Sequence, residues 1–149
     1  MGLKHVKQEY TNLLTSYESY VISKIGFNDI CFFNDYIDKD TNKSVLGNLP
    51  LKNTDLILAN KKDIVTIPTF EQVFNFFIKK YDLYTTMIET LPEKENQKSM
   101  FHYEIFYKGL DGVINTQKYV DVFKAQKEAI NVMLKLIYVN KFSGDETKF

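Results

Sequence analysis

Pro68–Asp82 reads PTFEQVFNFFIKKYD, and the fold turns on this stretch. Pro68 closes the segment before it. Thr69 has the side chain of a helix N-cap, and Gln72 stands three residues on, where a capping box places its reciprocal partner. Phe70, Val73, Phe74, Phe77, Ile78 and Tyr81 recur at spacings of three and four, which predicts a helix over Thr69–Asp82 with one apolar face. Phe76 falls off that face, beside Lys79 and Lys80. Beyond Asp82 the period becomes that of strands. Tyr84–Thr90 is rich in β-formers, and PEKENQK (92–98) is a charged hairpin loop. Phe101–Lys108 alternates, with Phe101, Tyr103, Ile105 and Tyr107 on one side and His102, Glu104, Phe106 and Lys108 on the other. Asp111-Gly112 is a tight-turn signal, so a third strand is expected over Val113–Tyr119. Asp121 can cap a last helix reaching about Val139, with Ala125, Ala129, Val132, Met133 and Leu136 inward. Residues 68–139 therefore predict helix, three antiparallel strands, helix: the αβββα core of an α+β domain.

Working outward, the N-terminal side adds a helix and a strand or hairpin. Leu3, Val6, Tyr10, Leu13, Tyr17 and Tyr20 repeat at three and four over Leu3–Ser23, and Gly26 is a plausible stop. That stripe is expected to pack on the domain. Its near-heptad spacing also makes Leu3–Val21 the candidate route to an oligomer. Asp29–Ile37 (DICFFNDYI) reads as a strand, Asp38–Ser44 as a turn, and Asp63–Ile67 as a short strand. Val45–Leu58 contains Gly47, Pro50 and several Asn, and reads as loop with short extended pieces. No linker rich in Gly, Pro or Ser interrupts the chain. One domain over 1–149 is expected, with an N-terminal helix (1–25), a strand, hairpin and loop region (29–67), the core (68–139) and a frayed tail (140–149).

Composition narrows the function classes. The 149 residues are 44% apolar and 26% charged, which suits a folded domain. The formal net charge is zero, neither the acidic excess of a nucleic-acid mimic nor the basic excess of a general nucleic-acid coat. All 19 basic residues are lysines. Arginine is the usual bidentate partner of phosphate, carboxylate and guanine, so sites built on an arginine clamp are excluded. Cys31 is the only cysteine, which removes an internal disulfide and any multi-cysteine metal site. Met1–Val21 is charged and patterned, unlike a signal peptide or membrane span, and a reducing cytoplasm is the expected location.

The candidate chemistry is thin. Asp38-Lys-Asp40-Thr-Asn42 opens like a calcium loop. The glycine that loop needs at its sixth position is Lys43, and the glutamate at its twelfth is Leu49. His102 and Glu104 share one strand face, but no nucleophile or phosphate loop accompanies them, and His5 sits alone on the first helix. Cys31 lies between apolar neighbours and reads as a small buried hydrophobe. No catalytic residue, metal site or cofactor is expected. Phe76 and Phe106 are both expected to point outward on their elements, either covered by the N-terminal region or forming an apolar patch. With Lys79 and Lys80 they form the candidate partner-binding residues. The order helix, three strands, helix is also that of the double-stranded RNA-binding domain, and Lys118, Lys124 and Lys127 surround the start of the last helix. The lysine pair that domain carries there is absent, and Asp121 and Glu128 dilute the charge.

Three stretches resemble one family. SKIGFNDICFF (23–33), IPTFEQVFNFFIKKYDL (67–83) and KAQKEAI (124–130) are similar, in that order, to small uncharacterised proteins of phages and prophages of gut Bacteroidota. Those proteins read K-L-G-F-x-x-x-C, then P-T-x-x-Q-A-F-x-W-F-R-x-K-Y, then E-A-x-x-A-C-I. The likeness covers about Lys24–Val139. Phe76 stands where the family has tryptophan and Ile78 where it has arginine. The resemblance implies a small accessory protein of a mobile element and carries no catalytic residue. The expected function is then non-enzymatic: docking on a host or defence protein, as an inhibitor of an immune system such as CRISPR. The alternative is a nucleic-acid-binding module.

Overall fold

The computed structural model describes residues 12–38, 40–41, 43–58, 64–107, 110–114 and 117–139. Its elements are α1 (Ser16–Lys24), β1 (Phe33–Asp38), β2 (Lys43–Gly47), α2 (Asn53–Leu58), β3 (Ile64–Ile67), α3 (Phe70–Tyr81), β4 (Leu83–Thr90), β5 (Met100–Tyr107), β6 (Leu110–Ile114) and α4 (Val122–Val139). The architecture is α+β, as expected. The chain divides into two compact units, Met1–Gln72 and Val73–Phe149, with the boundary inside α3. No helix among the described residues is long and apolar enough to cross a membrane.

In the first unit, β1 is the centre of an antiparallel sheet ordered β2-β1-β3. The helix expected over Leu3–Ser23 begins only at Ser16 within the described residues. The cause is a second capping box. Thr15 Oγ1 accepts from Glu18 N at 3.2 Å, and Glu18 Oε1 accepts from Thr15 N at 2.9 Å, so the helix starts where both orphan donors are satisfied. Leu13 and Thr15, just before it, are not helical. Leu13 bridges Thr69, and Phe70 N donates to Asn12 O at 2.9 Å. The inward face is also corrected: Ser19 and Ile22 are buried, while Tyr17 and Tyr20 are 76% and 50% exposed. The expected stripe runs through Leu13, which precedes the capping box and lies outside this helix. The candidate oligomer helix Leu3–Val21 lies partly outside the described residues. Gly26, at φ 99°, takes the left-handed turn that ends α1.

The stretch read as loop holds β2 and α2. Short elements carry little periodicity: β2 is held by its backbone ladder to β1, and α2 by side-chain hydrogen bonds around its start. Asn28 Oδ1 accepts from Thr54 N at 3.0 Å, and Asp55 Oδ2 accepts from Lys52 N at 2.9 Å, which satisfies the start of α2. Asn53 Nδ2 donates to Phe27 O at 2.6 Å and its Oδ1 accepts from the Thr66 hydroxyl at 2.7 Å. Ser16 on α1 donates to the Asp35 carboxylate on β1.

In the second unit, β5 is central in the antiparallel order β4-β5-β6, and α4 packs on β4 and β5. At the start of α3 the expected capping box is present, with Thr69 N donating to Gln72 Oε1 at 3.0 Å and Gln72 N to Thr69 Oγ1 at 3.3 Å. Asp82, at φ 53°, is the one non-glycine left-handed residue among those described, and β4 starts immediately after it. Leu83, Tyr103 and Ile105 are buried on one side of the sheet, as are Ala125, Ala129, Ile130 and Met133 on α4. The Thr85 hydroxyl donates to Met133 Sδ at 2.8 Å. Asp121 caps α4 through Phe123 N at 2.9 Å. The third strand is Leu110–Ile114, not Val113–Tyr119. Tyr107 pairs with Leu110, so the chain reverses ahead of Asp111-Gly112, which lie within β6. A register shift between Ile105 and Tyr107 accompanies this, and Tyr119 meets Phe101 only as an isolated bridge.

Candidate protein-docking surface

The β4–β5 register builds the site. Tyr84 pairs with Phe106, Thr86 with Glu104, Ile88 with His102 and Thr90 with Met100. Because the side-chain period is two, these residues share the face opposite Leu83, Tyr103 and Ile105. Tyr84 is 43% and Phe106 41% exposed, so two aromatic rings stand side by side on the sheet surface. His102 is half-buried, and its Nδ1 is enclosed without a hydrogen-bond partner. Phe106 thus points outward as expected. Tyr84 was not singled out. Counting the register back from the 92–98 loop would have found it, since its partner Phe106 was already assigned to the outer face.

The other expected partner-binding residues are arranged differently. Phe76 is not on the surface: it is 2% exposed. Its ring lies 6.0 Å from Phe77 and 6.1 Å, edge-on, from Tyr81. The apolar arc of α3 is wider than one stripe, so a position just off the stripe is enclosed too. Lys80 Nζ sits 5.9 Å over the Phe76 ring and 5.7 Å over Tyr81, covering the aromatic pair with a cation. Lys79 is exposed. Lys118 and Lys124 are exposed around the start of α4, and Lys127 is half-buried, with Asp121 and Glu128 among them.

The remaining candidate chemistry is quiet. Burial pushes the Cys31 thiol up to about 11, the neighbouring Thr66 side chain offsets part of this, and the Asp29 charge adds to it. A thiol in that environment stays protonated at neutral pH and is a poor nucleophile. Among the described residues, no group of three or more His, Cys, Asp or Glu could hold a metal ion. The Asp38–Asn42 stretch lies between β1 and β2, partly outside the described residues, as does all of His5. Comparison with protein-family models, with curated proteins and with solved structures finds no match.

Proposed function

We propose that this chain is a non-enzymatic protein that docks on another protein through the outer face of the β4–β5 hairpin. The observation that carries the reading is the Tyr84–Phe106 pair, two large rings held about two-fifths exposed on paired strands. Aromatic side chains lose little conformational entropy on binding and are enriched at interface hot spots. The likeness of Lys24–Val139 to phage proteins supports a host or defence protein as the partner. In this reading the chain works in the bacterial cytoplasm, and inhibition of an immune system such as CRISPR is the sharper form of it. The test is a paired capture from host lysate with the native chain and a Tyr84→Ser/Phe106→Ser variant, identified by mass spectrometry. A partner held by the first and lost by the second is the expected result. Identical recoveries from both would overturn the docking face.

A second reading is favoured by exposed Lys118 and Lys124 beside the start of α4, together with an αβββα reading of residues 68–139. It makes the chain a nucleic-acid binder whose affinity falls steeply with salt. A Lys124→Ala/Lys127→Ala variant that binds duplex RNA as the native chain does would remove it.

A further inference from the structure

Among the described residues two sheets end in four edge strands, and these differ in how they are guarded. An unguarded edge offers a row of backbone donors and acceptors to any passing strand. Natural edges are therefore short, bulged or charged, most often with lysine. Three of the four comply. β2 has five residues and starts at Lys43, and β3 has only four. β6 has five, carries Asp111 and Gly112, and joins its neighbour across a register shift.

β4 does not comply. It has eight residues, LYTTMIET, with no lysine, proline or glycine. All eight pair in unbroken register with β5, so the strand is free of bulges. Among the described residues no strand pairs with its other side. The side-chain hydrogen bond from β4 among the described residues is Thr85 to Met133, toward the core.

We propose that β4 pairs edge to edge, antiparallel, with β4 of a second copy of this chain, joining the two three-stranded sheets into one of six strands. Self-complementarity singles out a second copy from other strands. With the two-fold axis through Thr86, Tyr84 of each copy lies opposite Ile88 of the other, an aromatic–aliphatic cross-strand pair formed twice on one face. Glu89, the only charge on the strand, meets Leu83 and not its own copy. The chain's zero net charge removes the long-range repulsion that two copies of a charged protein would feel. The contact is a strand pair with few side chains, which makes it reversible and concentration-dependent. It leaves Phe106, one strand further in, available on each copy, and it does not require the docking reading above.

Sedimentation equilibrium across a concentration series, with amide hydrogen exchange, tests this. The expected result is a shift from the 17.5 kDa monomer toward twice that mass as concentration rises. Slowed exchange confined to residues 83–90 should appear over the same range. Thr86→Lys sets two ammonium groups face to face across the axis, while within one copy each sits beside its Glu104 partner. It should restore the monomer with unchanged circular dichroism. Glu93→Gln, the same change in charge on the exposed 92–98 loop, should leave the mass shift intact. A native chain that stays monomeric would overturn the proposal. So would a dimer whose exchange at 83–90 does not change with concentration, a result readable even if the lysine variant does not fold.

Discussion

The two units reach order by different means. In Met1–Gln72 the described buried polar side chains, Ser19, Asn34 and Thr66, lie among short elements joined by hydrogen bonds from side chains to distant backbone. Asn34 Nδ2 donates to Leu49 O at 2.6 Å, Asn53 reaches Phe27, and Gln72 Nε2 donates to Ile30 O at 2.7 Å. In Val73–Phe149 the described buried side chains are apolar or aromatic, most of them on strands of eight residues and helices of twelve and eighteen. A unit with long elements can bury a continuous stripe. A unit with short ones must satisfy its exposed chain ends individually.

The strongest way to break this contrast is in the second unit. Phe76→Ala removes a side chain that is 2% exposed and should cost about 3–5 kcal/mol in urea unfolding. A loss under about 1 kcal/mol would return Phe76 to the surface, where its sequence position suggested it lay. In the first unit a single added methyl should suffice. A Cβ at Gly47 would lie 2.8 Å from Asn34 Oδ1 and 3.0 Å from Tyr36 Cε1, so Gly47→Ala must displace the amide that holds Leu49. The expected cost is about 1–3 kcal/mol, and equal stability of the two proteins would show that this polar lattice is looser than its distances imply.

Legibility followed the length of an element rather than the unit that holds it: the box that opens α3 lies at the end of the first unit, and β6 was misplaced in the second. The Thr69–Gln72 box, the stripe of α3 and the alternation of β5 extend over enough residues for period and capping to agree, and those elements were readable. β2 and α2 were not. Their partners, Asn28, Asn34 and Thr66, are polar residues that any loop could contain, and nothing local marks them as tertiary caps. Phe76 was misplaced because a stripe drawn from spacing has no width. Of the candidate site, Phe106 was readable from alternation, and Tyr84 becomes so only once the hairpin register is counted.

Two smaller effects sharpen the contrast. The Cys31 thiol is raised from 9.0 to about 11 in the folded chain, so the fold holds its proton more tightly than the unfolded chain does. Its contribution is fully present below pH 9 and is lost as pH climbs through 11. The urea midpoint of the native chain should therefore fall relative to that of Cys31→Ala across this window, and parallel curves would contradict the burial. Smallest is the cap of α1. Thr15→Ala should cost about 1 kcal/mol and lower helix content locally, measurable by circular dichroism together with amide exchange at residues 16–19.

Asp82 has a consequence of another kind. Tyr81 ends a helix and Leu83 begins a strand, both are buried, and a single left-handed residue stands between them. That joint is a reading-frame setting for everything that follows. One residue more or fewer would turn β4 over, bringing Tyr84 inside and Leu83 out, and no later segment could correct the phase. Descendants of this chain can lengthen the 91–99 connection at little cost, because its ends are already paired. They can place Gly or Asn at position 82. An insertion there would be a frameshift written in geometry.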